Sequence, residues 1–146
     1  MKRKMPRIVR AAATGRPFEL DIEWSTGERM NVDVSEAADG PYEPLRDASL
    51  FARARADDWG HRVVWIEDEI DLGADQLYRW SLEQAGEAMT VEDWREWRAR
   101  NRLSVTGAAA AIGISRRMAT YYEKGEWIVP KTIRLACSGY EMEQAG

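Results

Sequence analysis

Arg116 and Arg117 follow Ser115 directly, and Thr120, Tyr121 and Lys124 recur behind them at spacings of three and four. On a helix such spacing gathers side chains on one face. A guanidinium at the exposed start of a helix can reach guanine O6 and N7 together in the major groove, and serine, threonine and tyrosine hydroxyls can reach phosphate oxygens. Two positive charges at a helix start also oppose its dipole by a few tenths of a kcal/mol, so the placement asks for an anion from outside. The other chemically capable residues are few. One histidine, His61, and one cysteine, Cys137, leave nothing for a zinc site, a histidine-based triad or an internal disulfide. Asp57 and Asp58 stand beside Trp59 and His61 without a pattern that would build a pocket, and Cys137 reads as a packing residue. The acidic run Glu67, Asp68, Glu69 and Asp71 lacks the spacing of a calcium loop and reads as a solvated strand end or loop. No catalytic residue, no metal ligand set and no cofactor is expected.

Charge distribution agrees with that cationic face. The chain has 146 residues and a net charge of -4, which taken whole argues against nucleic acid. Residues 1–86 hold 12 bases against 17 acids, whereas residues 87–146 hold 9 against 8. Within residues 94–134 all nine of those bases meet only Glu96, Glu123 and Glu126, a local balance of +6. Only the local charge matters to a phosphate backbone within a Debye length. Hydrophobic residues at 45% and charged residues at 32% describe a soluble globular protein. No stretch reaches the roughly 20 apolar residues of a membrane span, and the basic start at residues 1–10 lacks the apolar run of a signal peptide, so a cytoplasmic protein is expected.

The elements that must position these residues fall into two patterns. Phe18, Leu20, Ile22 and Trp24 alternate with acids, and after the turn at residues 25–28 Met30, Val32 and Val34 resume the alternation, which predicts an antiparallel hairpin. Residues 7–12 add a possible third strand. Asp39, Gly40, Pro41 and Pro44 break regular structure between residues 35 and 47, a short helix follows around Leu50, Phe51 and Ala54, and residues 63–66 form a buried strand. Gly73 stands at the N-cap of a helix over residues 74–84 with Leu77, Tyr78 and Trp80 as packing residues. Past Gly86 the period becomes helical. Thr90 with Asp93 caps a first helix to about residue 102 carrying Trp94 and Trp97; Gly113 closes an alanine-rich second; Ser115 opens a third that ends at Gly125; and Pro130 lies in the first turn of a fourth carrying Ile133, Leu135 and Ala136. Ala108 and Ala109 suit a close helix crossing, and Ile114 fills the space under the turn.

Residues 94–136, with LSVTGAAAAIGIS at 103–115 and the ending Tyr122, Glu123, Gly125, resemble the helix-turn-helix of phage-repressor-type (Xre-like) DNA-binding domains. The resemblance implies that Arg116, Arg117 and Tyr121 occupy base-reading positions and that Arg98 of the first helix pairs with Glu123 near the end of the recognition helix. Val105 stands where many members carry a glutamine, Gly107 is unusual near a helix start, and the fifth helix of many members is not expected before Gly146. Through PRIVRAAA at 6–13, PYEPLRDASLFARARAD at 41–57 and VVWIEDEIDL at 63–72, the N-terminal part is similar to the bacterial family called domain of unknown function 2442. Some members of that family are thought to be antitoxin-like partners of a small neighbouring protein.

The expected architecture is α+β: a small acidic α+β domain with antiparallel strands over residues 1–86, then an all-α lambda-repressor-like helix-turn-helix bundle over residues 87–146. The expected function is sequence-specific binding of double-stranded DNA as a transcriptional regulator, antitoxin-type repression being one form of it, with no enzymatic activity. Ser115, Arg116, Arg117, Thr120, Tyr121 and Lys124 are the expected DNA contacts, and Arg98 with Glu123 the structural ion pair. Expected partners are double-stranded DNA, a second copy of the chain paired through the edge of the 18–34 hairpin, and a small toxin-like protein on the acidic face. The alternative makes the N-terminal domain a protein-interaction module beside a helical half that does not bind DNA.

Overall fold

The computed structural model describes residues 5–146; the basic residues 1–4 lie outside it. The chain has an α+β fold and divides into two compact units between Gln84 and Ala85, two residues before the expected boundary.

In the first unit, alternation produces the expected hairpin. Strand β2 (Glu19–Trp24) lies between β1 (Ile8–Ala13) and β3 (Arg29–Asp33) in an antiparallel sheet. Leu20, Ile22 and Trp24 point into the core with Val32 and Val34, because a period of two puts every second side chain on one face. A second antiparallel sheet has β5 (Arg62–Ile66) between β4 (Arg55–Ala56) and β6 (Ile70–Gly73). The sequence reading contained only β5, since β4 has two residues and β6 starts inside the acidic run. That run is the turn of the β5–β6 hairpin, with Asp68 at φ 62°.

Between the sheets, the segment expected to be irregular carries α1 (Ser35–Asp39) and a 3-10 turn (Glu43–Arg46) before α2 (Ala48–Phe51). Asp47 caps α2, its carboxylate accepting from the amides of Ser49 and Leu50. Tertiary burial of Ala37, Ala38 and Leu45 holds these short pieces, which are too short to persist on propensity alone. Helix α3 (Ala74–Gln84) packs Leu77 fully into the core and ends with Gln84 against the edge of β3. There the Gln84 side-chain amide accepts from Asp33 N at 2.7 Å and donates to Asp33 O at 2.9 Å. The hairpin edge expected to be open for a second copy is thus covered at Asp33, and on its other side β2 is paired with β1, whose register shifts between Ile8 and Arg10.

The second unit contains α4 (Val91–Arg100), α5 (Val105–Ile112), α6 (Arg116–Lys124) and α7 (Lys131–Ala145), with a short antiparallel pairing of β7 (Ala88–Met89) and β8 (Val129–Pro130). Trp94 and Trp97, one turn apart on α4, are buried with Ala108, Ala109, Ala119, Tyr122, Val129 and Cys137. Burial of this order contributes roughly 25 cal/mol per Å² of apolar surface, so the two indoles dominate this small core. The Trp97 indole donates to the Cys137 carbonyl at 3.1 Å, and burial pushes the Cys137 thiol up to about 12, making it an inert packing group. One position departs from expectation. Pro130 is the N-cap of α7 and not part of its first turn, and α7 carries Leu135 as expected but with 53% of it exposed. No helix among the described residues is long and apolar enough to cross a membrane.

Candidate nucleic-acid interface

The candidate interface is built from the α5 end, the turn after it and α6. Ser104 caps α5, its hydroxyl accepting from Gly107 N at 2.9 Å. A Cβ at Gly107 would lie 3.1 Å from that same oxygen, a tight contact. At the other end of α5 Gly113 adopts φ 76°, a left-handed conformation that L side chains rarely take, and the chain reverses there. The amides of Gly113 and Ile114 both donate to the Ala109 carbonyl, at 2.9 and 3.0 Å. Ser115 then caps α6 by accepting from Met118 N at 3.0 Å.

On α6, Ala119 and Tyr122 face the core while Ser115, Arg116, Arg117 and Lys124 are exposed. Thr120 and Tyr121 are half-buried beside them. The Thr120 hydroxyl donates to the Arg116 carbonyl at 3.0 Å, so its proton is used within the helix. Tyr121 accepts at its hydroxyl from Arg117 Nε at 2.8 Å, with the guanidinium 5.7 Å from the ring centre. The Arg116 guanidinium and the Lys124 ammonium make no hydrogen bond or ion pair with any described residue, and no carboxylate reaches Arg117. Helix α6 therefore presents three cations that no carboxylate among the described residues neutralises.

The opposite end of α6 is fastened to α4. Glu123 takes a bidentate pair from Arg98, Nη2 to Oε1 at 2.5 Å and Nε to Oε2 at 2.9 Å, and its Oε2 also accepts from the Trp94 indole at 3.0 Å. Both charged side chains are about three-quarters buried, at 26% and 21% exposure. The hydrogen bonds from Arg98 hold the Glu123 carboxyl below the ordinary range against the opposing effect of burial, with Trp94 adding to the lowering. Arg98 also donates to the Leu103 carbonyl at 3.0 Å. Arg95 donates to the backbone carbonyl of Glu123 at 2.5 and 3.0 Å, satisfying an acceptor at the helix C-terminus where a cation also suits the dipole.

Three participants were not foreseen: Arg95, the Trp94 indole N–H, and Trp127. Trp127 lies beyond α6 and stacks on Tyr121, with ring centres 5.0 Å apart and planes at 6°. Nothing in local spacing announces a ring in a loop. The other sequence candidates are held in local structural contacts of the first unit. His61 is exposed in a turn where Asp57 accepts its backbone N–H, and Asp57, Glu67 and Asp71 are engaged by Arg62. No group of three potential metal ligands occurs among the described residues.

Comparison with known proteins bears on both units. A crystal structure of a candidate DNA-binding protein from Nitrosomonas europaea is similar over 97% of this chain and 90% of that one, at 40% identity and a TM-score of 0.61. No curated protein matches the chain. Residues 9–83, which span the two sheets and most of α3, match the family described as protein of unknown function, DUF2442. The chain belongs to the DUF2442 family.

Proposed function

We propose that this protein is a sequence-specific double-stranded DNA-binding regulator, in which residues 85–146 act as a phage-repressor-type helix-turn-helix and α6 is the recognition helix. The observation that carries this reading is the pair Arg116 and Arg117, exposed at the start of α6 just past the left-handed turn at Gly113 and without an acidic partner among the described residues. Cations that the fold leaves unneutralised at a helix start gain most from phosphates and guanine edges. The 40% identity to a candidate DNA-binding protein supports the same reading. One such module reads only a few base pairs, so the regulator would act as a homodimer on a two-fold site, in the cytoplasm with the chromosome, and by binding and not by catalysis. Antitoxin-type repression with a small protein partner is a special case of it.

The test is duplex binding by the full chain, followed by fluorescence anisotropy across a salt series. Binding should weaken steeply as salt rises, with the slope set by the phosphates contacted. A chain that binds no duplex, or binds it with no dependence on salt, contradicts the reading.

A second reading, of the first unit as a protein-interaction module, is favoured by Trp59. Its indole is 74% exposed on a turn locked by Asp57, which accepts from His61 N at 2.8 Å, and by Gly60, whose carbonyl accepts from Ile8 N at 2.8 Å. Gly60 adopts φ 72°, and a Cβ there would meet Ile8 O at 2.5 Å. Rigidly presented tryptophans are frequent interface anchors. Co-purification with the product of the adjacent gene, lost on Trp59→Ala, is the outcome this reading requires.

A further inference from the structure

Arg116 and Arg117 are neighbours in sequence and unlike in structure. The exposed Arg116 side chain makes no hydrogen bond or ion pair with any described residue. Arg117 donates its Nε to the Tyr121 hydroxyl at 2.8 Å and lies along the Tyr121 ring, which is itself stacked at 5.0 Å and 6° on Trp127. Trp127 in turn is half-buried against the core cluster of Trp94, Tyr122 and Val129, two residues before the β8 strand that pairs with β7. A continuous ladder thus runs from that core through two aromatic rings to one guanidinium on the exposed face.

The ladder decides how that guanidinium can bind. An arginine can offer two N–H groups in parallel either from Nε with one Nη or from both Nη atoms. With Nε committed to Tyr121, the fork that remains is the terminal one, and its two Nη atoms hold no partner among the described residues. A pair of acceptors side by side, O6 and N7 of one guanine, matches that fork. Holding the side chain in advance also removes part of the rotamer entropy that docking would otherwise cost, a benefit Arg116 lacks.

We propose that Trp127 and Tyr121 are positioning residues that fix Arg117 as the reader of one guanine, while Arg116 supplies a phosphate contact without sequence preference. This rests on the DNA-binding reading above and assigns the specificity within it to one arginine. Tyr121 is accordingly a support for base reading and not a base contact itself.

The test starts from selection of the full-length chain on duplexes with a randomised central segment at near-physiological salt. The enriched duplex is then compared with copies in which each guanine in turn is replaced by 7-deazaguanine, which keeps the base pair and lacks the N7 acceptor. The parent should lose roughly 5-fold or more in affinity at one position, since the arginine fork loses N7 and keeps O6, one half of a bidentate pair. Arg117→Ala and Trp127→Ala should each remove that penalty, and Arg116→Ala should weaken all duplexes alike and keep it. Trp127→Phe, which can still stack, should restore it. Thermal unfolding shows whether Trp127→Ala stays folded. Tyr121→Phe deletes only the acceptor oxygen and should reduce the penalty by itself. If the parent enriches a site and Trp127→Ala and Tyr121→Phe retain its full 7-deazaguanine penalty, the positioning role is overturned and DNA binding stands. If the parent enriches no site, the DNA-binding reading fails and this assignment fails with it.

Discussion

Arg62 in the first unit and Arg116 with Arg117 in the second are the same side chain in opposite settings. Arg62 meets three carboxylates, Asp57 at 3.3 Å, Glu67 at 2.6 Å and Asp71 at 2.9 Å, and Glu67 also takes Arg55 at 2.8 Å. Its charge is consumed in tying β5 to the flanking segments. No acid among the described residues pairs with Arg116 or Arg117, although the chain as a whole carries more acids than bases. A cation surrounded by carboxylates has little field left for an outside anion, whereas one facing only solvent keeps its full attraction within a Debye length. Net charge is therefore a poor guide to the partners of this protein, and pairing is a better one.

The largest effect should come from the pair that combines both settings, Arg98 with Glu123. Glu123→Ala leaves Arg98 and the Trp94 indole without their acceptor and should cost about 3 kcal/mol of stability, toward the lower end for a partly buried ion pair. Chemical denaturation of the full chain measures it; a loss under about 1 kcal/mol would show the pair to behave as a solvated one. Next is the double replacement of Arg116 and Arg117 by alanine. Duplex affinity should fall on the order of 100-fold, about 2.7 kcal/mol, while stability stays within about 0.5 kcal/mol or rises slightly because two charges adverse to the helix dipole are gone. Arg62→Ala should do the reverse, lowering stability because the carboxylates of Asp57, Glu67 and Asp71 are left facing one another, and leaving duplex affinity unchanged. If both replacements weaken DNA binding equally, the contrast between paired and unpaired arginines does not hold.

Acidification should produce the most gradual change. Glu123 is held below its ordinary value of 4.5 by Arg98, and Glu141 is drawn down to about 2 by Arg100 and Asn101. A depressed carboxylate stabilises the fold fully above its ordinary value and loses that contribution as pH falls through the folded value. Stability of the second unit should thus be flat above about pH 5 and decline from about pH 4.5 toward 2, with a shallower decline in Glu123→Gln. A decline already evident near neutrality would point to a different titrating group.

Much of the local structure was legible because its causes are local. Alternation over residues 18–34 produced the hairpin, and Thr90 and Ser115 sit at helix starts where their hydroxyls accept from amides three residues on. The bounds of α3 agree with the residues read as helical, 74–84. A cap, a left-handed glycine or a hydrophobic stripe is an interaction among residues a few positions apart, so it is written into the chain without reference to the fold. The cationic face of α6 belongs to the same class, since helical spacing alone places Arg116, Arg117 and Lys124 together.

What the tertiary structure decided involves partners that no local rule connects. Arg95 reaches the Glu123 carbonyl across 28 residues, and the Gln84 amide closes the β3 edge across 51. Strand β4 exists because β5 lies beside it, and Leu135, apolar and in a helix, is exposed because α7 turns Cys137 and not Leu135 toward the tryptophans. Trp127 stacks on Tyr121 although it lies in the loop before β8, outside the helix that carries its partner. The sequence by itself determined the 18–34 hairpin, the longer helices with their caps, and the gathering of Arg116, Arg117 and Lys124 on one face of α6. Which arginine is held rigid and which is left free depended on the packing of distant side chains, because a contact between residues far apart in the chain has no periodicity and is selected only by the fit of the assembled core.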